Sequence, residues 1–537
     1  MGATVVAALT AQVSVATLAP MKPPEVLAER AREILRSVNL AGTAQDSHFG
    51  VIFEFGFPNR VGRLNGGQPV NPSDRLATRG AAFWYRESPV PLERRVFIHP
   101  DGVPTVTTYD PAMEYNSEHL VVLDREGRLI RFWGVPAQAP RASAEPLDKV
   151  DWPTLFRAAE LDPAAWTPTD PQWTPPFFAD QRFAWVPRDG SAAPTRVEAA
   201  SAQGRPVYFQ LIYPWTAPPR DAGSRRTPAQ RFGNLAMVCL FGATMVGSVL
   251  VARRNLRLDR ADAQGALRLA AFAAASMLLV WVIDEHHVAT IWELMLFAMA
   301  AGWALFVAAL VTVFYLALEP YVRRTWPAMI VSWSRVLAGR IHDPLVARDV
   351  LIGCAAGVAV FSLECAGLFS VRALTGAGEV PTLVVSPRPF LGVTHLVSEL
   401  TYAMVSSVFF VLMSLFILFV VRKVVRLEQA AVLICAVAMA VPVALGFSAS
   451  LAFVPFEFLT LAVAFGVLSR VGLVAAVTAS AVGRVLHVFP FSWPPSAWFS
   501  GVGFVGVAVV ALVAITAFRI ATAPHASARG GEVKMPS

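Results

Sequence analysis

Apolar residues along this chain follow two rhythms, and the change falls near residue 230. Before it, apolar runs are short and set among polar, proline-rich stretches. Beyond it, long uncharged runs recur, broken only by brief charged interruptions. A hydrocarbon core about 30 Å thick takes roughly 20 apolar residues in a helix. Only a helix or a closed barrel satisfies its own backbone there. The pattern predicts spans near 3–20, 233–252, 266–283, 291–317, 349–370, 396–421, 429–447, 450–468, 470–489 and 496–520.

The polar half has its own periodicities. Val26, Leu27, Ile34, Leu35 and Val38 fit one face of a helix over 24–38. Segments 51–56 and 81–86 are strand-like, and 119–135 predicts a hairpin closed by the Asp-Arg-Glu-Gly turn. After a linker over 136–146 the order repeats. A short helix over 151–160 and a strand over 183–187 precede a hairpin over 197–217. Gly127, Arg128 and Phe132 align with Gly204, Arg205 and Phe209. The fold expected is a membrane all-α helical bundle of about ten spans carrying an exported α+β domain of two tandem repeats. The divisions are 1–22 (anchor), 23–140 and 141–228 (the two α+β units), 229–522 (helical membrane domain) and 523–537 (cytoplasmic tail).

Charge orients this arrangement. The chain has 55% hydrophobic and only 15% charged residues, with a formal net charge of +7. The excess positives sit between apolar runs rather than in one patch, which argues for lipid and against nucleic acid as partner. Arg253, Arg254, Arg257, Arg260 and Arg268 fall in one connection; Arg323, Arg324, Arg335, Arg340 and Arg348 in another; Arg422, Lys423 and Arg426 in a third. Alternate connections are poor in Lys and Arg, Arg372 and Arg388 being exceptions. The positive-inside rule then puts the arginine-rich connections and the C-terminus in the cytoplasm and 23–230 outside it. Export would need the uncleaved anchor over 1–22.

Candidate chemistry is sparse. All four cysteines, Cys239, Cys354, Cys365 and Cys435, fall in apolar runs, and their spacing suits neither disulfides nor a metal. No phosphate-binding loop, nucleophile elbow or metal-binding helix motif occurs, so no cofactor is expected. The exported half is rich in aromatics, among them Trp84, Trp133, Trp152, Trp166 and Trp185, suited to a core or to a ligand cleft.

Three groups remain as candidates. Glu285, His286 and His287, beside Asp284 and ahead of Glu293, form either a polar cap at the outer interface or a metal- or pH-sensing site. Glu364, Glu399 and Glu457 interrupt apolar runs, where ionisable groups are expensive. Arg484 is available to pair with Glu364 or Glu457, and Glu399 stands where it would reach water. A structural ion pair, an ion path and a substrate site all fit. Finally, residues 319–350 hold Arg323, Arg324, Trp326, Trp333, Arg335, Arg340, Asp343 and Arg348 around an amphipathic stretch with Met329, Ile330 and Trp333 on one face. It reads as a helix on the inner membrane surface, either an anchor or a coupling element.

Residues 252–270, the EHHV loop and 316–351 resemble the C-terminal membrane region of bacterial receptor-like serine/threonine protein kinases of acidobacterial type. VLAERAREIL, REGRLIRFWGVPAQ and RVEAASAQGRPVYFQLIYPWT are similar to the region after those kinases' first membrane helix. The resemblance implies an inner-membrane sensory module with an extracytoplasmic ligand and a cytoplasmic kinase or signalling partner. The chain has no kinase glycine loop, catalytic loop or DFG segment, so no catalytic residue carries over. Kinase activity would need an upstream or separate polypeptide. The rival expectation is a transporter or channel using Glu364, Glu457 and Arg484.

Overall fold

The computed structural model describes residues 22–40, 44–53, 81–95, 105–139, 150–189, 195–213, 216, 228–375, 386, 388–446, 454–489 and 498–523. The expected anchor over 3–20, most of the linker over 136–146 and the tail from 524 lie outside the described residues.

The polar half opens with α1 (Pro24–Ser37), started by a proline whose missing N–H goes unneeded in the first turn. Leu27, Ala28, Ala31, Ile34 and Leu35 form its buried stripe. Val26, expected on that face, is half exposed. Four strands follow: β1 (Asp46–Phe53), β2 (Ala81–Ser88), β3 (His119–Leu123) and β4 (Leu129–Gly134). The second round is α2 (Trp152–Ala158), β5 (Trp166–Thr169), β6 (Gln181–Pro187), β7 (Arg196–Ala202) and β8 (Arg205–Ile212). Each round is a helix followed by an antiparallel meander. The rounds are not separate modules, however. They fuse into one eight-stranded sheet of order β1-β2-β3-β4-β8-β7-β6-β5, joined where the last strand of each round pairs with the other.

The aligned glycines close the equivalent hairpins. Gly127 and Gly204 have φ of 91° and 71°, a region open to glycine without strain. In the first turn Asp124 Oδ1 accepts from the Glu126 and Arg128 amides at 3.1 and 2.9 Å. Side chains alternate across the sheet. Phe83, Val121, Phe132, Ala199 and Phe209 face α1 and α2, while Trp84, Leu120, Val122, Trp133 and Tyr208 fill the opposite face. The aromatics pack as core rather than line a cleft: Phe156 meets Trp185, Phe209 and Trp166 edge-on, with centroids 5.2, 5.7 and 5.9 Å away.

The apolar half consists of α3 (Pro228–Arg257), α4 (Ala263–Asp284), α5 (Trp292–Thr325), α6 (Pro327–Leu337), α7 (Pro344–Thr375), α8 (Val393–Val425), α9 (Glu428–Gly446), α10 (Val454–Arg470), α11 (Leu473–Val488) and α12 (Ser500–Thr522). Seven of them, α3, α4, α5, α7, α8, α9 and α12, are long and apolar enough to cross a membrane. At 17 and 16 residues, α10 and α11 fall short of that length, so the described residues do not reach the expected ten. Helix α8 is central: 67% of its apolar window is buried, against 17% for α3 and α12.

Close contact between α7 and α11 depends on glycine. A Cβ on Gly353 would lie 2.6 Å from the Ala475 carbonyl oxygen, and one on Gly357 2.6 Å from that of Ala479. This G-x-x-x-G spacing is a common device where helix backbones meet in lipid.

The bundle has two distinct ends. At one, Asn255 donates to the Leu316 and Ala317 carbonyls, Arg268 donates to Leu337, and Gly472 abuts Met329. The arginines in the last turns of α3, α5, α8 and α10 gather there. The sheet domain docks at the opposite end.

Candidate functional site

The sheet domain is held to the bundle by charged side chains, most of them buried. The connection between α4 and α5 supplies the first set. Glu285 caps the end of α4 and accepts from Arg94 Nε at 3.1 Å, with Arg94 Nη2 on its other oxygen. The Trp281 indole donates to the same carboxylate at 3.1 Å. Trp292, opening α5, donates to the Arg94 carbonyl at 2.7 Å. Both charged partners are almost wholly removed from solvent. Losing either would leave a bare buried charge, which typically costs about 3–5 kcal/mol.

His286 turns instead to the edge strand β1. Its Nε2 lies 2.9 Å from Asp46 Oδ2. Burial opposes ionisation of Asp46, but the His286 bond and the Leu92 amide at 2.8 Å outweigh it and hold its carboxyl below the usual range. His287 points elsewhere, to Glu293 at 2.5 Å and the Val282 carbonyl at 3.0 Å. Burial lowers its affinity for a proton, yet the bonds to Glu293 and the Val282 carbonyl and the charges of Glu293 and Glu285 together raise it. Glu285, His286 and His287 thus take three separate partners. Among the described residues no three His, Cys, Asp or Glu side chains converge to hold a metal ion.

A second set comes from α8 and the 3-10 turn Arg388–Phe390 before it. Arg388 Nη2 binds Asp284 and lies 3.4 Å from Ser398 Oγ; Nη1 is 3.4 Å from Glu399. Asp284 also accepts from Ser398 and meets His395 Nδ1 at 2.8 Å. Glu399, expected to reach water, is buried and accepts from Ser386 Oγ at 2.6 Å. The arginine makes this tolerable, since a buried carboxylate needs both a counter-charge and hydrogen bonds.

Between the two sets lies a cavity of about 80 Å³, lined by His48, Phe49, Thr105, Asp284, Arg388, Leu391 and His395. His48 Nε2 is 3.1 Å from Thr105 Oγ1, and its ring centroid is 4.7 Å from that of His286. Burial first, and the neighbouring His286 second, push the His48 imidazole down to about 3. It is therefore a neutral group at ordinary pH. Apolar packing is continuous across the junction too: Phe390, Phe499 and Phe361 belong to the same cluster as the core of the sheet domain.

The remaining candidates lie apart from this junction. Glu364 pairs with His487 at 3.1 Å, in the last turn of α11, and Glu457 sits in the first turn of α10. Both carboxylates stand toward the domain-bearing end. Arg484, expected beside one of them, has no acidic partner among the described residues. Its guanidinium lies over the rings of Phe410 and Tyr402, 5.7 and 5.9 Å from their centroids.

The 319–350 segment gathers at the arginine-rich end. Met329, Ile330 and Trp333 of α6 are buried in the bundle's main core, so this apolar face packs on helices rather than on lipid. Ser332 donates to Asp349, which also pairs with Arg348 at 2.9 Å, and Arg335 pairs with Asp343 at 2.5 Å. Arg323 pairs with Glu319, and Arg422 stacks over Trp326 at 4.5 Å. Arg324 and Arg340 are exposed.

Sequence reading missed Asp46, His48, Arg94 and Thr105 as parts of the junction. Their partners are remote in sequence and no local motif marks them. Arg388 did carry a signal: it is a positive charge in an arginine-poor connection. No family model, no curated protein and no solved structure matches the chain.

Proposed function

We propose that the chain is a membrane receptor module in which the sheet domain works on the helical bundle through the junction. The observation that carries this reading is the location of the Arg94–Glu285 and His286–Asp46 pairs. Both grip the connection between α4 and α5. That helix hairpin runs to the arginine-rich end, where α5 passes through Trp326 alone into α6. A shift of the sheet domain therefore acts on a lever whose far end is α6. Two alternative packings of the hairpin, biased by a ligand, would suffice for signalling.

In this reading all nine helices α3–α5 and α7–α12 cross the bilayer, with the segment over 3–20 as a tenth span. The sheet domain lies on the extracytoplasmic side and α6 in the cytoplasm. The gathering of arginines at one end of the bundle supports that orientation. The partner at α6 would be a cytoplasmic kinase or signalling protein, as the resemblance to receptor-like kinases implies.

The test is hydrogen exchange on the full chain in lipid nanodiscs, comparing the wild type with Glu285→Gln and the milder His286→Gln. Releasing the grip is expected to raise exchange in 327–337 as well as at the junction. Loosening at the junction with unchanged exchange in 327–337 would sink the receptor reading.

A further inference from the structure

We propose that the protein holds one anionic glycerophospholipid by its phosphate at Arg484, in the leaflet on the sheet-domain side. A guanidinium carries a fixed charge and five N–H donors. That of Arg484 makes no ion pair and no hydrogen bond among the described residues, and lies instead over the rings of Phe410 and Tyr402 at 5.7 and 5.9 Å. Ring faces attract the cation, by about 2 kcal/mol where water is excluded, but they do not satisfy its donors. Glu364 is not available to it, being taken by His487 at 3.1 Å. Glu457 stands by those two residues rather than by Arg484.

Position decides what supplies the missing acceptor. Tyr402 and Phe410 are 40% and 43% exposed, so the rings beside the guanidinium lie on the outer surface of the bundle. Arg484 is itself partly exposed, and none of its nitrogens is shut off from that surface. It stands near the end of α11 at Val488, about 6 Å away at 1.5 Å per residue. With 16 and 17 residues, α11 and the neighbouring α10 are roughly 24–26 Å long, against a hydrocarbon core of about 30 Å. Short helices draw the headgroup layer inward, and arginine side chains reach out toward it. Both effects bring Arg484 to the level of lipid phosphates.

Charge decides which lipid. A single cation without a counter-ion favours a headgroup of net negative charge over a zwitterion, whose own cation competes for the phosphate. The guanidinium fork matches two phosphate oxygens at once. Below the headgroup, the acyl chains run down the exposed faces of Tyr402 and Phe410. From the function proposed above the site takes only the placement of α8 and α11 in the bilayer, and it does not depend on signalling through α6.

Native mass spectrometry tests this on the full chain, released from micelles that hold phosphatidylglycerol and phosphatidylcholine in equal amounts. One phosphatidylglycerol is expected to survive collisional activation in preference to phosphatidylcholine. Arg484→Gln should weaken that retention about tenfold or more, the worth of a charge-assisted hydrogen bond, while Arg484→Lys should keep most of it. Tyr402→Glu supplies the missing counter-charge from the protein itself and should expel the lipid, which keeps the test open if Arg484→Gln folds poorly. Arg519→Gln, at an exposed arginine in the last turn of α12, should leave retention unchanged. Equal retention of the two lipids, unchanged retention in Arg484→Gln or Tyr402→Glu, or displacement by inorganic phosphate would overturn the site. Retention of neither lipid by the wild type would overturn the bilayer placement of α11 together with the site. Hydrogen exchange at 327–337 tests the receptor reading separately, so either idea can fail without the other.

Discussion

Phe132 and Phe209 stand directly opposite each other where β4 pairs with β8. This is the line along which the two helix-plus-meander rounds become one sheet, and both rings are fully buried. Phe209 also meets Phe156 of α2 edge-on, so it links the seam of the sheet to the helix above it. Truncating a buried phenylalanine of this kind costs about 3–5 kcal/mol. Phe209→Ala is expected to shift the denaturant midpoint of the sheet domain, followed by tryptophan fluorescence, well below that of wild type. A change confined to exposed Phe178 should leave the midpoint in place.

The junction should weaken in acid, and His48 gives the sign. Its imidazole is depressed to about 3 when docked, against an ordinary value of 6.5. An opened junction therefore takes up a proton below 6.5 that the docked state refuses. Docking loses up to about 1.4 kcal/mol per pH unit between those limits. The groups facing His48 are Asp46, Thr105, His286, His395 and Arg86. Asp46, held low by His286, keeps its contribution until the pH falls through its own depressed value. His287 acts in the opposite sense, stabilising at low pH and losing its effect as pH rises, but it is partly exposed and solvent screens it. Protease cleavage at the junction is expected to accelerate between pH 7 and pH 5. His48→Phe should flatten that dependence, and an equally steep profile in the variant would contradict the assignment.

Much of this was legible from residue patterns because each pattern reports a local constraint. Hydropathy located α3 to α5 and α7 to α12, since a long uncharged run satisfies its own backbone only as a helix if lipid surrounds it. The matching turns at Gly127 and Gly204 marked the two hairpins as alike, because a backbone with positive φ selects glycine in each. What stayed hidden depends on remote pairing. Nothing beside Asp46 announces His286, and nothing beside Arg94 announces Glu285. Glu399 looked solvent-reaching from its depth alone, and only the fold brings Arg388 and Ser386 to it. The fusion of two units into one sheet was invisible for the same reason, since β4 and β8 are edge strands until each finds the other.

Gly357 offers a test of the bundle's packing that is independent of the junction. Its missing side chain leaves room for the Ala479 carbonyl and Val482 of α11. Gly357→Leu would force the backbones apart, and overpacking alone costs about 1–3 kcal/mol. The variant is expected to lower the thermal midpoint of the detergent-solubilised chain by several degrees. Gly302→Leu, at a glycine whose added Cβ would meet nothing within 4 Å, should leave it nearly unchanged. Equal losses in both variants would show that close approach of α7 and α11 is not what Gly357 provides.

Orientation in the bilayer can be settled by reporters, because the two ends of the bundle differ so strongly in charge. Arg253, Arg254, Arg257 and Arg260 sit at the end where Asn255 is tied to α5. Moving that many guanidinium groups across a hydrocarbon core is opposed by several kcal/mol each at the bilayer centre, so this end should stay where the chain is made. The sheet domain, docked at the other end, should then be translocated. Alkaline phosphatase, active only after export, is expected to work when fused after residue 135 and to be silent after residue 257. Green fluorescent protein should give the reverse. Phosphatase activity at 257 together with fluorescence at 135 would invert the protein, placing the junction and its cavity on the cytoplasmic side and α6 outside.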